Sequence, residues 1–403
     1  MRVRTALALL LLAALAPGAA TSPARADDDR RLPRLPLRTE GRWIVDAAGE
    51  RFKLAGVNWY GAEEDEFVVA GLDRRPLADV ARLIRDLGFN SVRLPWSNEL
   101  VEKNPVVPES AVAANPALRG KHALDVLDAV IDALAREGLV VVLDNHVSRA
   151  CWVQSPKDCQ GLWWTDDVPE ERWIADWKTM ARRYATQPAV VGADLRNEPH
   201  AIERPDGTKL VPTWGGGDPK LDWHAAAKRC GDAVLAVNPN LLIVVEGLEY
   251  ASDLRGPWTQ TLELAKPNRL VWSVHDYAWF HRKDITYEQL ADELGRRWGY
   301  LLVEGKPYTA PVWVAEFGTK HDQPGSIYAT SGEGAWFHAF RRYLYAGDFD
   351  WAYWALNGTQ ARAKGRTLGA EETYGVLDMK WERAALRQHI GALRGLQPAY
   401  SGP

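Results

Sequence analysis

Gly138-Leu139-Val140-Val141-Val142-Leu143-Asp144-Asn145-His146 is the stretch that decides the fold. Its unbroken, β-branched apolar run suits a strand buried on both faces, as in a parallel sheet covered by helices. Gly138 closes the helical pattern Ala123–Glu137 before it, and polar residues follow the run. The same sequence of helix, buried strand and polar exit recurs on both sides. Strands are expected at Leu54–Trp59, Ser91–Trp96, Leu139–Leu143, Val190–Arg196, Leu241–Glu246, Leu270–His275, Val312–Glu316 and Trp351–Leu356. Helices are expected at Pro76–Leu87, Ala123–Glu137, Glu170–Tyr184, Pro219–Val237, near Thr259–Leu264, and at Tyr287–Trp298, Glu333–Tyr345 and Glu382–Leu393. Eight alternating units in series predict an α/β fold of the closed kind, a (β/α)8 TIM barrel. An open doubly wound sheet is the alternative. Trp43–Val45 and Arg51–Leu54 flank the turn-like Asp46–Gly49 and read as an N-terminal β-hairpin that would close the bottom of the barrel.

The ends of the chain read differently. Arg2 and Arg4 precede the apolar run Ala6–Ala16, which is too short to span a bilayer, and Ala24-Arg25-Ala26 follows as a small-residue cleavage site. Residues 1–26 are therefore expected to be a signal peptide, and the mature protein to be secreted. No adjacent arginine pair precedes the run, which favours ordinary Sec export. Residues 27–38, rich in Arg, Asp and Pro, are expected to be a poorly ordered lead-in, and residues 39–403 a single catalytic domain. No repeat, low-complexity linker or membrane-spanning segment interrupts that domain.

Composition narrows the partners. A net charge of −4 gives no reason to expect nucleic acid or an anionic membrane. The 19 tryptophans need either burial or a binding face, and indole stacks on the apolar faces of sugars. Cys151 and Cys159 flank a short polar stretch and are expected to form a disulfide in an oxidising compartment, while Cys230 in a helical pattern reads as a buried thiol. A monomer is expected.

Long loops follow the second strand (Ser97–Lys121), the third (Val147–Pro169), the fourth (Pro199–Asp218) and the eighth (Asn357–Lys380). All lie at the C-terminal face, where barrel enzymes build their sites. Polar residues converge there: Arg93, His146, Asn197-Glu198-Pro199, His275-Asp276-Tyr277, Glu316-Phe317-Gly318 and Trp354. Each alone has a plain structural explanation, such as a solvated loop acid, an ordinary ion pair or a core indole. Their joint placement at one rim gives them weight. Trp59, Trp96, Trp163, Trp164, Trp214 and Trp279 sit at strand ends or in rim loops and are either sugar platforms or packing residues.

Asn197-Glu198-Pro199 after the fourth strand and Glu316-Phe317-Gly318 after the seventh resemble glycoside hydrolase family 5, the cellulase family of the (β/α)8 glycosidase clan. Leu54–Trp59 and Tyr374-Gly375-Val376-Leu377 are similar to it too, and the resemblance runs from about Trp43 to Leu393. Arg93, His146, Asn197, Glu198, His275, Tyr277, Glu316 and Trp354 match the family's usual site positions.

The resemblance implies a retaining glycosidase with Glu198 as general acid/base and Glu316 as nucleophile. Arg93 and Tyr277 would hold Glu316, Asn197 would bind the sugar 2-hydroxyl, and His146 and His275 would fix the groups around Glu198. Trp354 would be the floor under the sugar. The expected substrate is a β-linked polysaccharide or oligosaccharide, foremost a β-glucan cut by an endo-β-1,4-glucanase. An endo-β-mannanase, an exo-β-glucosidase or a glycolipid glycanase remain open, and so does a non-catalytic sugar-binding barrel. That chemistry needs no metal and no organic cofactor. A Gly-x-Ser-x-Gly elbow, a His-Glu-x-x-His helix and a phosphate-cradling loop are all absent from the sequence.

Overall fold

The computed structural model describes residues 32–153, 157–158, 160–321 and 331–397, so the expected signal segment and Cys159 lie outside the described residues. Eight parallel strands close into a barrel: Ala55–Asn58, Ser91–Ser97, Val140–Val147, Val190–Asp194, Leu242–Glu246, Leu270–Asp276, Val312–Phe317 and Asp350–Tyr353. Each pairs with its sequence neighbours, and the last pairs with the first through Trp351–Ala55, Ala352–Gly56 and Tyr353–Val57. The doubly wound alternative is thereby excluded.

Strand side chains alternate between the inside of the barrel and the helical jacket. Val140, Val142, Leu242, Val244, Val271, Trp313, Ala315 and Ala352 pack together in the interior. Further along, the same inward parity carries Asp144, Glu246 and His275, all buried. The barrel is therefore apolar in its lower layers and polar at its C-terminal end. Gly56 is the close approach in the first strand. A Cβ there would lie 2.6 Å from the Ser91 hydroxyl and 3.0 Å from its carbonyl oxygen.

Helices Leu77–Asp86, Ala123–Arg136, Glu170–Arg183, Trp223–Val237, Tyr287–Arg297 and Gly332–Gly347 lie between successive strands, and Arg387–Arg394 follows the eighth. Two start later than expected. Asp222 caps Trp223–Val237 by accepting from the Ala225 N–H at 3.1 Å, and Asp378 accepts the Glu382 N–H at 3.0 Å in a turn before the last helix. The helix expected near Thr259–Leu264 is absent, and a single 3₁₀ turn stands at Gly256–Trp258. Carbonyls that a helix would use accept side-chain donors instead. Trp214 donates to Gln260 at 2.8 Å, His224 meets Thr261 at 3.0 Å and Lys228 donates to Glu263 at 2.6 Å.

The N-terminal hairpin exists with a different partner. Trp43–Val45 pairs with Arg38–Glu40 across a turn at Gly41, whose φ is +53°. Arg51 keeps one bridge to Val45 and turns its guanidinium to Asp350 at 3.0 Å. Leu37 and Ile44, both fully buried, seal the lower end of the barrel interior. Strand structure thus begins at Arg38, the last residue of the expected lead-in. Among the described residues, no helix is long and apolar enough to cross a membrane. Cys230 is buried in its helix and Cys151 carries a free thiol, with its expected partner outside the described residues.

Candidate active site

Arg93 organises the polar end of the barrel. It is fully buried, and its five N–H donors have little choice but to meet acceptors there. Nε donates to Asp194 at 2.9 Å, Nη1 to Glu316 at 2.7 Å and to Asn58 at 3.1 Å, and Nη2 to Asn197 and Glu246 at 2.9 Å each. Asp144 lies 3.1 Å from Nη2. Burial works against this cation, yet the surrounding carboxylates outweigh it and raise its pKa further. Burial first, and then Glu246, push Asp194 well above the usual carboxylate range, favouring its protonated form. The site therefore stands on a buried ionic platform fixed to the second, third, fourth and fifth strands.

Glu316 leaves the seventh strand above that platform. Its two oxygens accept from Arg93 and, at 3.0 Å, from the Tyr277 hydroxyl. Glu198 follows the fourth strand with a φ of 49°, in the left-handed region. Its backbone N–H donates to Glu246 Oε2 at 2.6 Å, and its Oε1 lies 2.9 Å from His275 Nδ1. One oxygen of Glu198, one of Glu316 and a nitrogen of His275 all lie within 4.8 Å of one another. Burial, then repulsion from Glu316 and Glu246, raise Glu198 above its usual pKa, while His275 works the other way. Burial disfavours a proton on His275, but Glu246 and Glu316 outweigh it and raise its pKa well above the usual range. Glu246 would be raised by burial. His275, Arg93 and the Glu198 N–H together bring it down to about 2.

Glu198 and Glu316 face a cavity of about 270 Å³ lined also by His146, Asn197, Tyr277, Trp279 and Trp354, with Trp152, Arg366, Glu372 and Tyr374 on its walls. The eight expected site residues are thus brought to one place, with one difference in role. His146 does not reach Glu198. Its Nδ1 pairs with Asp144 at 2.6 Å and its ring stacks beside Trp354 at 5.6 Å.

Of the six further tryptophans, Trp279 alone lines the cavity. It is 61% exposed and stacks on Tyr277 at 4.3 Å. Trp59, Trp96 and Trp163 are fully buried and cannot meet a sugar. Trp59 donates to the Ala70 carbonyl at 2.9 Å, Trp96 packs on Trp177 at 4.9 Å and Trp163 on Trp223 at 5.3 Å. Trp164 and Trp214 are half-buried away from the cavity, donating to the carbonyls of Lys220 and Gln260. Glu246, Trp152, Arg366 and Glu372 were missed. Glu246 had a signal, being the polar residue that ends the fifth strand.

Among the described residues, two groups of side chains have cation-ligating geometry: Glu198, His275 and Glu316, and Asp144, Asp194 and Glu246. Arg93 already supplies positive charge to the second. The first is the Glu198–His275–Glu316 cluster described above.

A parallel (β/α)8 barrel with two carboxylates facing one aromatic-floored cavity at its C-terminal rim is the architecture of a glycosidase. Residues 45–360 match the model of the cellulase family, glycosyl hydrolase family 5, and the chain belongs to that family. It is a glycoside hydrolase. It is 33% identical over 348 residues to an endoglucanase of Paenibacillus polymyxa, covering 82% of each chain. Over 210 residues it is 38% identical to the major extracellular endoglucanase of Xanthomonas campestris, spanning 51% of this chain and 40% of that one. A cellotetraose complex of the endocellulase from Pyrococcus horikoshii superposes with a TM-score of 0.75 at 27% identity, covering 91% of this chain and all of that one.

Proposed function

We propose that this chain is a secreted, retaining β-1,4-glucanase of the cellulase type, with Glu198 as general acid/base and Glu316 as nucleophile. The observation that carries the reading is the approach of the two carboxylates, within 4.8 Å oxygen to oxygen. Retaining glycosidases hold the pair about 5–5.5 Å apart, whereas inverting ones leave about 6.5–9.5 Å for a water.

The steps follow from the contacts. A sugar rests on Trp354 with C1 over Glu316. Glu198 gives its proton to the leaving oxygen as a Glu316 oxygen bonds to C1. The charge of Glu316 favours a protonated Glu198 before this step and is gone after it. Glu198 then takes a proton from water, which attacks C1 and frees Glu316. Asn197, anchored by Arg93, offers its amide to the 2-hydroxyl.

The names of the relatives, and the cellotetraose held by one neighbour, support a β-1,4-glucan and an endo mode of cutting. Secretion is supported by the charge and apolar pattern of residues 1–26 and by the extracellular relative. A single catalytic domain from about residue 39, acting as a monomer, completes the reading.

The test is reducing-sugar release from carboxymethyl-cellulose, mixed-linkage β-glucan and β-mannan, beside Glu316→Gln. Release from the glucans that vanishes in the variant is expected. Release from mannan alone would replace the substrate, and unchanged release by the variant would remove Glu316 from its role.

A further inference from the structure

Glu198 is held in the left-handed region directly before Pro199, a position that favours extended backbone. Its N–H is tied to Glu246. The tie on its carbonyl is His200, two residues on, whose Nδ1 lies 2.5 Å from the Glu198 carbonyl oxygen. A carbonyl oxygen can only accept, so Nδ1 carries the proton. Burial lowers the pKa of His200 and favours the neutral ring, which leaves Nε2 without a proton. Among the described residues Nε2, which is buried, has no hydrogen-bond partner. The imidazole is thus committed through Nδ1 to the backbone of Glu198.

Two neighbouring loops fix the ring. In the loop after the third strand, the Gly161 carbonyl accepts the His200 N–H at 2.9 Å, and a Cβ on Gly161 would stand 2.6 Å from the imidazole. In the loop after the fifth strand, Tyr250 stacks flat on the imidazole, with centroids 3.9 Å and planes 13° apart. Tyr250 is the middle of three consecutive left-handed residues, Glu249, Tyr250 and Ala251, with φ of 52°, 58° and 60°. L residues visit that region singly and not in runs. Paired backbone bonds between Leu248 and Asp253, at 2.9 and 3.1 Å, close this turn, and its Ala251 carbonyl accepts the His275 N–H at 3.2 Å. One turn therefore backs the ring on the Glu198 carbonyl and holds the strand end whose His275 meets the Glu198 carboxyl.

A proton donor works only within hydrogen-bond reach of the leaving oxygen, and a small displacement removes much of its effect. We propose that His200 is a positioning residue, which fixes the backbone of Glu198 through Nδ1–H and so aims its carboxyl at the leaving oxygen. The proposal rests on the assignment of Glu198 as acid/base above.

The test compares kcat/KM of the full chain on two aryl β-cellobiosides. Dinitrophenolate leaves without a proton, whereas phenolate needs one from Glu198. His200→Phe keeps the ring and its stacking but has no donor, and it strands no partner of Nε2. His200→Asn loses the ring but sets an amide N–H at the place of Nδ1. The ratio of the two substrates, taken on one preparation, does not depend on the folded fraction. His200→Phe is expected to lower kcat/KM on the phenyl substrate at least about tenfold more than on the dinitrophenyl one, a part of the ~10²–10⁴-fold that a general acid supplies. His200→Asn is expected to keep the wild-type ratio. Equal losses on both substrates in His200→Phe, beside a Glu198→Gln variant that does separate them, would leave His200 a packing residue and overturn the proposal alone. So would a His200→Asn variant whose ratio matches that of His200→Phe. A Glu198→Gln variant that fails to separate the substrates would remove the acid/base assignment and this proposal together.

Discussion

At Glu198, a φ of 49° puts a non-glycine residue in the left-handed region directly before Pro199. Such a backbone costs about 1–3 kcal/mol and persists only where its surroundings hold it. Glu246 holds it, bonded to the Glu198 N–H and to Arg93, with one oxygen 3.3 Å from His275 Nε2. Glu246→Gln should therefore change the pH profile and not merely lower activity. Loss of the Glu246 charge removes a direct repulsion that raises Glu198, while Glu316 and the bond to Glu198 still favour a proton on His275. The alkaline limb of kcat/KM, where Glu198 loses its proton, should move to lower pH. An unmoved limb with uniformly reduced activity would leave Glu246 a purely structural role. Glu198→Gln should lower kcat by about 10²–10⁴-fold, the usual worth of a general acid, and a smaller loss would place the proton donor elsewhere.

Loops and helices around the barrel separate stability from chemistry. Gly375 lies in the loop after the eighth strand, where a Cβ would stand 1.8 Å from the Asn357 carbonyl oxygen and 2.8 Å from that of Glu372. Both are backbone atoms that cannot swing aside, so Gly375→Ala should cost about 1–3 kcal/mol and displace Tyr374 and Glu372 with a loss of activity. Thr286 and Gln289 form a capping box on Tyr287–Arg297, away from the cavity. Thr286→Ala should cost about 1 kcal/mol in urea unfolding and leave kcat/KM unchanged. The barrel strands were legible because burial on both faces leaves continuous apolar runs. The segment near Thr259–Leu264 was not, because its carbonyls are taken by Trp214, His224 and Lys228 from distant sequence. Parity would have removed two of the proposed platforms. Asn58 and Arg93 point inward, so Trp59 and Trp96 point into the helical jacket.

Taken as a whole, the molecule places its apolar seal at one end of the barrel and its cavity-lining carboxylates at the other. Ile44 plugs the lower end, far along the strands from Glu316. Ile44→Ala should destabilise by about 2–5 kcal/mol while kcat at a temperature where the variant is folded stays that of the wild type. A fall in kcat would mean that the hairpin supports the site through the barrel. The site residues were legible because each ends a predicted strand at one rim. Trp152, Arg366 and Glu372 were not, since loop residues have no periodicity and meet only in the folded chain. The most direct test of the central claim is proton NMR of the anomeric signal during hydrolysis of a cello-oligosaccharide. A pair of carboxylates this close predicts that the first new reducing end is the β anomer, with the α anomer growing in only by mutarotation. An α anomer appearing first would show inversion and contradict the assignment of Glu316 as the nucleophile.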